Sequence, residues 1–215
     1  MHVEGISNLS QKDISYAEEL GYKIKLLGIA KSQNADVEIR VHPTLVPKNR
    51  LVANVDGAMN AVLVHGNMVG PTLYYGAGAG AEPTASAVVA DVIDIARQTK
   101  LSQNTLIPSL GFMPDKINEK NILSIENIFS EYYLRFTMKN QAGLLAKITN
   151  IFADHDISIN SMVHKEVQEN NQNPDIFLIT SKTKEADIDI IISEIELLPE
   201  NTEKVVKIRT EELNK

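Results

Sequence analysis

The sequence predicts an α+β fold in two parts: a region of mixed sheet, then a module of order βαββαβ. Three observations carry this. The first hundred residues hold their apolar residues mostly at strand periodicity, with a helical pattern near each end. A glycine-rich run, Gly76-Ala-Gly-Ala-Gly80, leads into a helical stretch that reaches Arg97. From Glu131 onward the apolar spacing alternates between two and 3.6 as strand, helix, strand, strand, helix, strand. The boundaries implied are 1–100 for the first part, 101–130 for a linker and 131–210 for the second.

Ser10 and Asp13 have the spacing of a capping box, so a short helix through Ile14, Ala17 and Leu20 is expected, stopped by Gly21. Tyr22–Ala30 becomes continuously apolar and predicts a strand covered on both faces. Val37–Val46 alternates Val37, Ile39 and Val41 against Glu38, Arg40 and His42, which predicts a half-buried strand with the apolar set inward. Pro43 and Pro47 keep the strand end extended, and His42 there reads as a tether more readily than as a site residue. Asn60–Val64 and Met68–Tyr75, around His65-Gly66-Asn67, read as a hairpin. The helix after Gly80 accepts Pro83 in its first turn, and Thr84 and Ser86 there read as caps. In Thr99–Ser130 the scattered Leu106, Ile107, Leu110, Phe112 and Met113 suggest a linker that docks on a surface.

The second part is expected as strand Tyr132–Met138, helix Leu144–Asp154, strand Ile157–Val167, strand Asp175–Ser181, helix Glu185–Leu197 and strand Lys204–Arg209. That is the ferredoxin-like order. Leu144, Leu145, Ile148, Ile151 and Phe152 form one core-facing helical stripe, and Ile188, Ile191, Ile192 and Ile195 the other.

Composition narrows function by exclusion. Twenty-one Lys+Arg against 28 Asp+Glu give a net charge of −7, which argues against a nucleic-acid partner. No apolar run approaches a membrane span, and the N-terminus is no signal peptide. The absence of cysteine removes disulfides and thiolate metal sites, and the five histidines have no ligand spacing. A cytoplasmic protein without a metal is the expectation. Glu4 and Asp13 are the conspicuous early carboxylates, and neither is assigned a catalytic role.

Residues Gly76–Asp91, with Val3–Ser7, Glu19–Lys31 and Val41–Pro47 in the same order, resemble the catalytic domain of the homoserine dehydrogenases. The part from Tyr132 resembles an ACT domain, the regulatory module that many of those enzymes carry at the C-terminus. In that family a nucleotide-binding half and a catalytic lysine come first, so the resemblance implies that these 215 residues are the C-terminal portion and are inactive alone. It implies hydride transfer between NADP or NAD and aspartate semialdehyde or homoserine in the full-length enzyme, and assembly as a dimer or larger. No catalytic residue is assigned within this chain. Gly80 is the one position that the resemblance places beside the cofactor.

For the ACT part the resemblance implies an amino-acid effector, threonine first, at Asn140, Gln141, Ala142, Gly143, Leu144 and Leu145. Ser158 and Asn160 would form the opposite wall, often from a second chain. Physically, Gly143 permits close backbone approach, helix-start amides suit a carboxylate, and Asn140 suits an ammonium. The alternative reading is a non-catalytic regulatory subunit that binds an amino acid.

Overall fold

The computed structural model describes residues 1–33, 36–99, 110–165 and 173–213, and it bears out the α+β expectation. The chain divides into two compact units, one of residues 1–53 with 121–214 and one centred on residues 54–120. The first unit therefore joins the first 53 residues of the chain to residues 121–214.

That unit holds a seven-stranded mixed sheet. Its strands are β1 (His2–Val3), β2 (Tyr22–Gln33), β3 (Asp36–Pro47), β7 (Tyr132–Thr137), β8 (Ile159–Lys165), β9 (Asp175–Thr180) and β11 (Val206–Thr210). Strands β11, β7, β9 and β8 lie side by side, antiparallel throughout, as the ferredoxin-like order requires. β3 extends this sheet by pairing parallel with β11, Arg209 opposite Thr44 and Thr210 opposite Leu45. β1 pairs parallel with β3 at Arg40 and Val41, and β2 pairs antiparallel along the whole of β3. Two short strands, β6 (Phe129–Ser130) and β10 (Thr183–Lys184), pair separately.

β7 shows why this sheet is buried on both sides. Tyr132, Leu134 and Phe136 face a core with Ile148 and Phe152 of α3 (Leu144–Asp154) and Ile188, Ile191 and Ile195 of α4 (Glu185–Glu196). Tyr133 turns the other way, into a second cluster with Phe177, Ile208, Leu45 and Ala17 of α1 (Gln11–Glu19). The sheet thus lies between α3 and α4 on one face and α1 on the other. Each fully buried aromatic or branched side chain here contributes about 1.5–3 kcal/mol. The expected helical stripes hold except at Leu145, which is 40% exposed.

α1 begins as foreseen, with Ser10 as N-cap and the reciprocal Ser10–Asp13 bonds of a capping box. Asp13 does more than cap. It is wholly buried, accepts from Arg135 Nε at 2.6 Å, and receives the Tyr133 hydroxyl at 3.3 Å. Tyr16 stacks on Phe177 with ring centroids 4.4 Å apart and donates its hydroxyl to Asp175 at 2.9 Å. α1 is held to the sheet by both polar and apolar contacts.

Several expectations are corrected. β2 is an edge strand, not a strand covered on both faces: among the described residues it pairs only with β3, and Leu26 is 57% exposed. In β3 the alternation is present but its phase is inverted. Glu38, Arg40, His42 and Thr44 are the buried set, while Val37, Ile39 and Val41 are only partly covered. The polar phase turns inward because Glu211 and Arg209, from the end of the chain, lie beside it. The second strand of the βαββαβ module starts two residues later than expected, at Ile159, and its expected end lies outside the described residues.

In the second unit, β4 (Met59–Gly66) and β5 (Gly70–Ala77) form the hairpin. Its turn is Asn67–Val69, not His65–Asn67, so Met68 stands at the tip and is 97% exposed. α2 (Ala81–Gln98) follows, and none of its residues is buried. Leu110, Phe112 and Met113 are also exposed, Leu106 and Ile107 lie outside the described residues, and farther along Asn121 and Leu123 bond Val37 of β3.

The ion pair of Asp13 gives a first prediction. Removing one partner of a buried pair leaves the other charge uncompensated, at about 3 kcal/mol or more. Asp13→Ala should lower the urea midpoint accordingly, with Ser10→Ala losing only about 1 kcal/mol from the cap. Equal effects of the two substitutions would show that the Arg135 contact contributes nothing beyond capping.

Candidate functional site

Two places combine helix-start amides with a glycine, and they were built by different local rules. In the first, β5 delivers the chain to Gly78 and Gly80, and α2 begins at Ala81. A Cβ on Gly78 would lie 1.2 Å from Asn60 Nδ2 on β4, so no larger residue fits against this side chain. Gly80, the N-cap, has φ +125°, a conformation that L side chains rarely adopt. Gly76 has no such constraint within this chain. Local geometry therefore accounts for two of the three glycines.

No side chain caps α2, which corrects the expectation for Thr84 and Ser86; the Thr84 amide simply bonds the Gly80 carbonyl at 3.2 Å. Pro83 has no N–H to offer. The amides of Ala81 and Glu82 head the helix beside a bare glycine, an arrangement suited to an anionic or polar ligand edge. That is chemistry the loop can do, and the packing of Gly78 and Gly80 alone does not require it.

The second place follows β7. Gly143 is the N-cap of α3 with φ +85° and ψ 0°, the left-handed conformation expected from its position, and again no side chain caps the helix. A Cβ there would meet nothing within 4 Å, so the approach to the backbone is open. Asn140, Gln141 and Ala142 are exposed, whereas Leu144 turns into the core. The Gln141 carbonyl accepts the Leu144 amide at 3.1 Å, and the Lys139 amide bonds the Glu200 carbonyl at 2.9 Å. Lys147, one turn into α3, pairs with Glu200 at 2.5 Å.

Ser158 and Asn160 are not part of that place in one chain. Asn160 donates to Thr180 O at 3.2 Å and Glu131 Oε1 at 3.3 Å, at the start of β7, whereas the Asn140–Leu145 loop follows its end. The length of the strand, about 20 Å, separates them. The expected opposite wall must come from another copy if it contributes at all.

What sequence reasoning missed is a set of buried charges. Arg209 on β11 donates through Nε and Nη2 to the two oxygens of Glu185, at 2.8 and 2.5 Å, and through Nη1 to Glu4 at 2.9 Å. Tyr132 and Lys207 also donate to Glu185, at 2.8 and 2.6 Å. Burial alone would raise this carboxyl, but Arg209 and Lys207 outweigh it and hold it at about 2. Arg40 pairs with Glu38 and Glu211, each at 2.9 Å, and Lys31 also reaches Glu211. Glu4 and Asp13, set aside as catalysts, are both engaged in ion pairs.

His42 is fully buried, and its Nδ1–H donates to the Pro43 carbonyl at 2.8 Å, which supports the tethering role. Burial, then the charges of Arg209 and Arg40, push its pKa down to about 4 against the opposing Pro43 hydrogen bond. Among the described residues no group of three or more His, Cys, Asp or Glu side chains could hold a metal, and no helix is long and apolar enough to cross a membrane.

Residues 1–93 match the homoserine dehydrogenase family model, and residues 132–200 match the ACT domain model. The homoserine dehydrogenases of Pseudomonas aeruginosa and Neisseria gonorrhoeae are 46% and 47% identical to this chain over 213 residues, 99% of its length. The crystal structure of a homoserine dehydrogenase from Thiobacillus denitrificans superposes with a TM-score of 0.88 at 52% identity, covering 98% of this chain and 47% of that one. The chain spans about half the length of the curated relatives it matches.

Acid should reveal the buried charges. Glu185 has a folded pKa of about 2 against an ordinary 4.5, so its stabilisation is present above pH 4.5 and is lost as pH falls toward 2. His42 stays neutral inside to about pH 4, so its contribution is intact above pH 6.5 and drains away between 6.5 and 4. Urea midpoints from pH 8 to 2.5 should be flat above 6.5 and fall below it. Glu185→Gln should shrink the fall below pH 4.5 without abolishing it, because Asp13 and Glu4, despite burial that raises them, are also held low by Arg135 and Arg209; an unchanged profile would contradict the assignment.

Proposed function

The chain belongs to the homoserine dehydrogenase family, and from that premise we propose that it serves the NAD(P)-dependent interconversion of L-homoserine and L-aspartate 4-semialdehyde in threonine, methionine and isoleucine biosynthesis. The observation that carries this is the identity of 46–47% sustained across 99% of the chain, through the catalytic and ACT parts in order. The nicotinamide supplies and accepts the hydride. The contribution of these residues is backbone: the Gly80 loop and the uncapped amides at the head of α2 suit a polar edge of NADP or NAD. The catalytic lysine and the nucleotide-binding half belong, in this reading, to sequence outside the 215 residues. The site of action is the cytoplasm.

The ACT part is proposed to sense an amino acid, with threonine as the first ligand to test because homoserine feeds its synthesis. The helix-start amides that follow Leu144 would take the carboxylate, since the Leu144 amide bonds Gln141, and Asn140 would take the ammonium. Ser158 and Asn160 would reach the hydroxyl only from a second copy, so ligand binding and assembly should be linked. A dimer or larger also fits α2, whose Val88, Val92 and Ile95 are more than half exposed.

Turnover of either substrate by the purified 215-residue chain, with NADP or NAD, should be undetectable; measurable turnover would refute the assignment of the catalytic lysine to other sequence. Calorimetric titration with threonine should give heat that methionine and lysine do not, and light scattering should show threonine favouring the larger species. Gly143→Val forces a β-branched residue to φ +85° and should weaken binding about tenfold or more. Equal heats for both proteins, or heat with no amino acid, would leave the ACT part as a pairing module.

A further inference from the structure

Glu4 and Arg209 are 205 residues apart in sequence and 2.9 Å apart in space. The two sides of this contact are held very differently. Glu185 heads α4, its amide bonds the Ile128 carbonyl at 3.0 Å, and its carboxylate is gripped by Tyr132, Lys207 and two nitrogens of Arg209. Arg209 itself is fixed by β11, between Thr44 of β3 and Tyr132 of β7, and is 2% exposed. Glu4 is the loose end. It follows a two-residue strand, it is attached by its amide to the Val41 carbonyl at 2.8 Å, and Gly5 follows with nothing within 4 Å of a Cβ position. The Nε2 atom of His2 lies 3.5 Å from its carboxylate.

We propose that Arg209 is a coupling residue: Glu4 and Glu185 compete for its single guanidinium, so the ACT part sets how firmly segment Val3–Ser7 is held. The competition has a definite sign. Lys207 shares the charge of Glu185, so when Lys207 withdraws, Glu185 draws more fully on Arg209 and Glu4 is released. When Glu185 loses its charge, Glu4 becomes the principal counterion of Arg209 and is held more tightly. Two carboxylates a few ångströms apart around one buried cation cannot be independent. Anything that shifts the head of α4 against β11, an effector included, would thereby reach the first residues of the chain. The inference goes beyond the enzymatic reading and does not depend on it.

Amide hydrogen exchange on the full chain tests it, read at Val3 and Glu4, with the Tyr133 and Phe177 amides reporting on the sheet itself. Lys207→Met should accelerate exchange at Glu4, and Glu185→Gln should slow it, each by about fivefold or more, since a charge-assisted contact is at stake. A role that is only structural would accelerate exchange in both variants, and that result would overturn the proposal. So would no change at Glu4 in either. If Glu185→Gln loosens the sheet, seen as faster exchange at Tyr133 and Phe177, the comparison of Lys207→Met with and without Glu4→Gln decides. In a Glu4→Gln background the effect of Lys207→Met at residues 3 and 4 should disappear; its persistence would also refute the coupling.

Discussion

Two residue pairs of parallel pairing, Arg209 with Thr44 and Thr210 with Leu45, splice the end of the chain to its beginning. Most of the first unit depends on this junction. An antiparallel four-stranded sheet with two helices on one face would leave its other face open and both edges unpaired. Here β3 takes the β11 edge and α1 takes the face, and both come from residues before Ala53. The second core of Tyr133, Phe177 and Ile208 exists only because α1 and Leu45 are present to cover it.

The junction also explains the inverted phase of β3. A strand that joins an existing sheet side by side has both faces near other elements, so polarity alone does not decide which face is inside. Glu38, Arg40 and Thr44 are tolerated in the interior because each finds a partner: Glu38 and Glu211 for Arg40, the His42 carbonyl for the Thr44 hydroxyl. Burying unpaired charge would be prohibitive, whereas paired and hydrogen-bonded charge is close to neutral in net stability and strongly specific in position. The ionic contacts therefore fix register and docking angle more than they add stability. Apolar packing on either side of β7 supplies that.

Legibility followed the range of the interaction. The Ser10–Asp13 cap, the left-handed Gly143, the helical stripes of α3 and α4 and the order βαββαβ all rest on neighbours within a few residues, and the sequence shows them directly. The hairpin was visible but its turn was displaced by two residues, because Met68 and Val69 look like strand and nothing local says that they form the tip. Arg209–Glu4 and Arg135–Asp13 could not be read at all. Alternating charges on a strand are ordinarily its solvated face, and only the arrival of a segment more than a hundred residues away reverses that. The candidate sites divide the same way: each glycine loop was locatable, but the separation of Asn160 from Asn140 follows from strand direction, not from spacing.

The two units meet different physical requirements. Residues 1–53 and 121–214 hold two apolar cores and interior ion pairs. The described residues of 54–120 contribute to neither core. α2 is eighteen residues long with Val88, Val89, Val92, Ile93 and Ile95 all at least two-fifths exposed, and the hairpin leaves Val62, Tyr74 and Tyr75 open as well. A helix with so wide an apolar stripe gains most of its stability from what covers it, not from propensity. At its glycine-bounded start no side chain caps the helix. Among the described residues, α2 and the hairpin therefore leave an apolar surface whose burial by another element would supply stability that this unit does not supply itself.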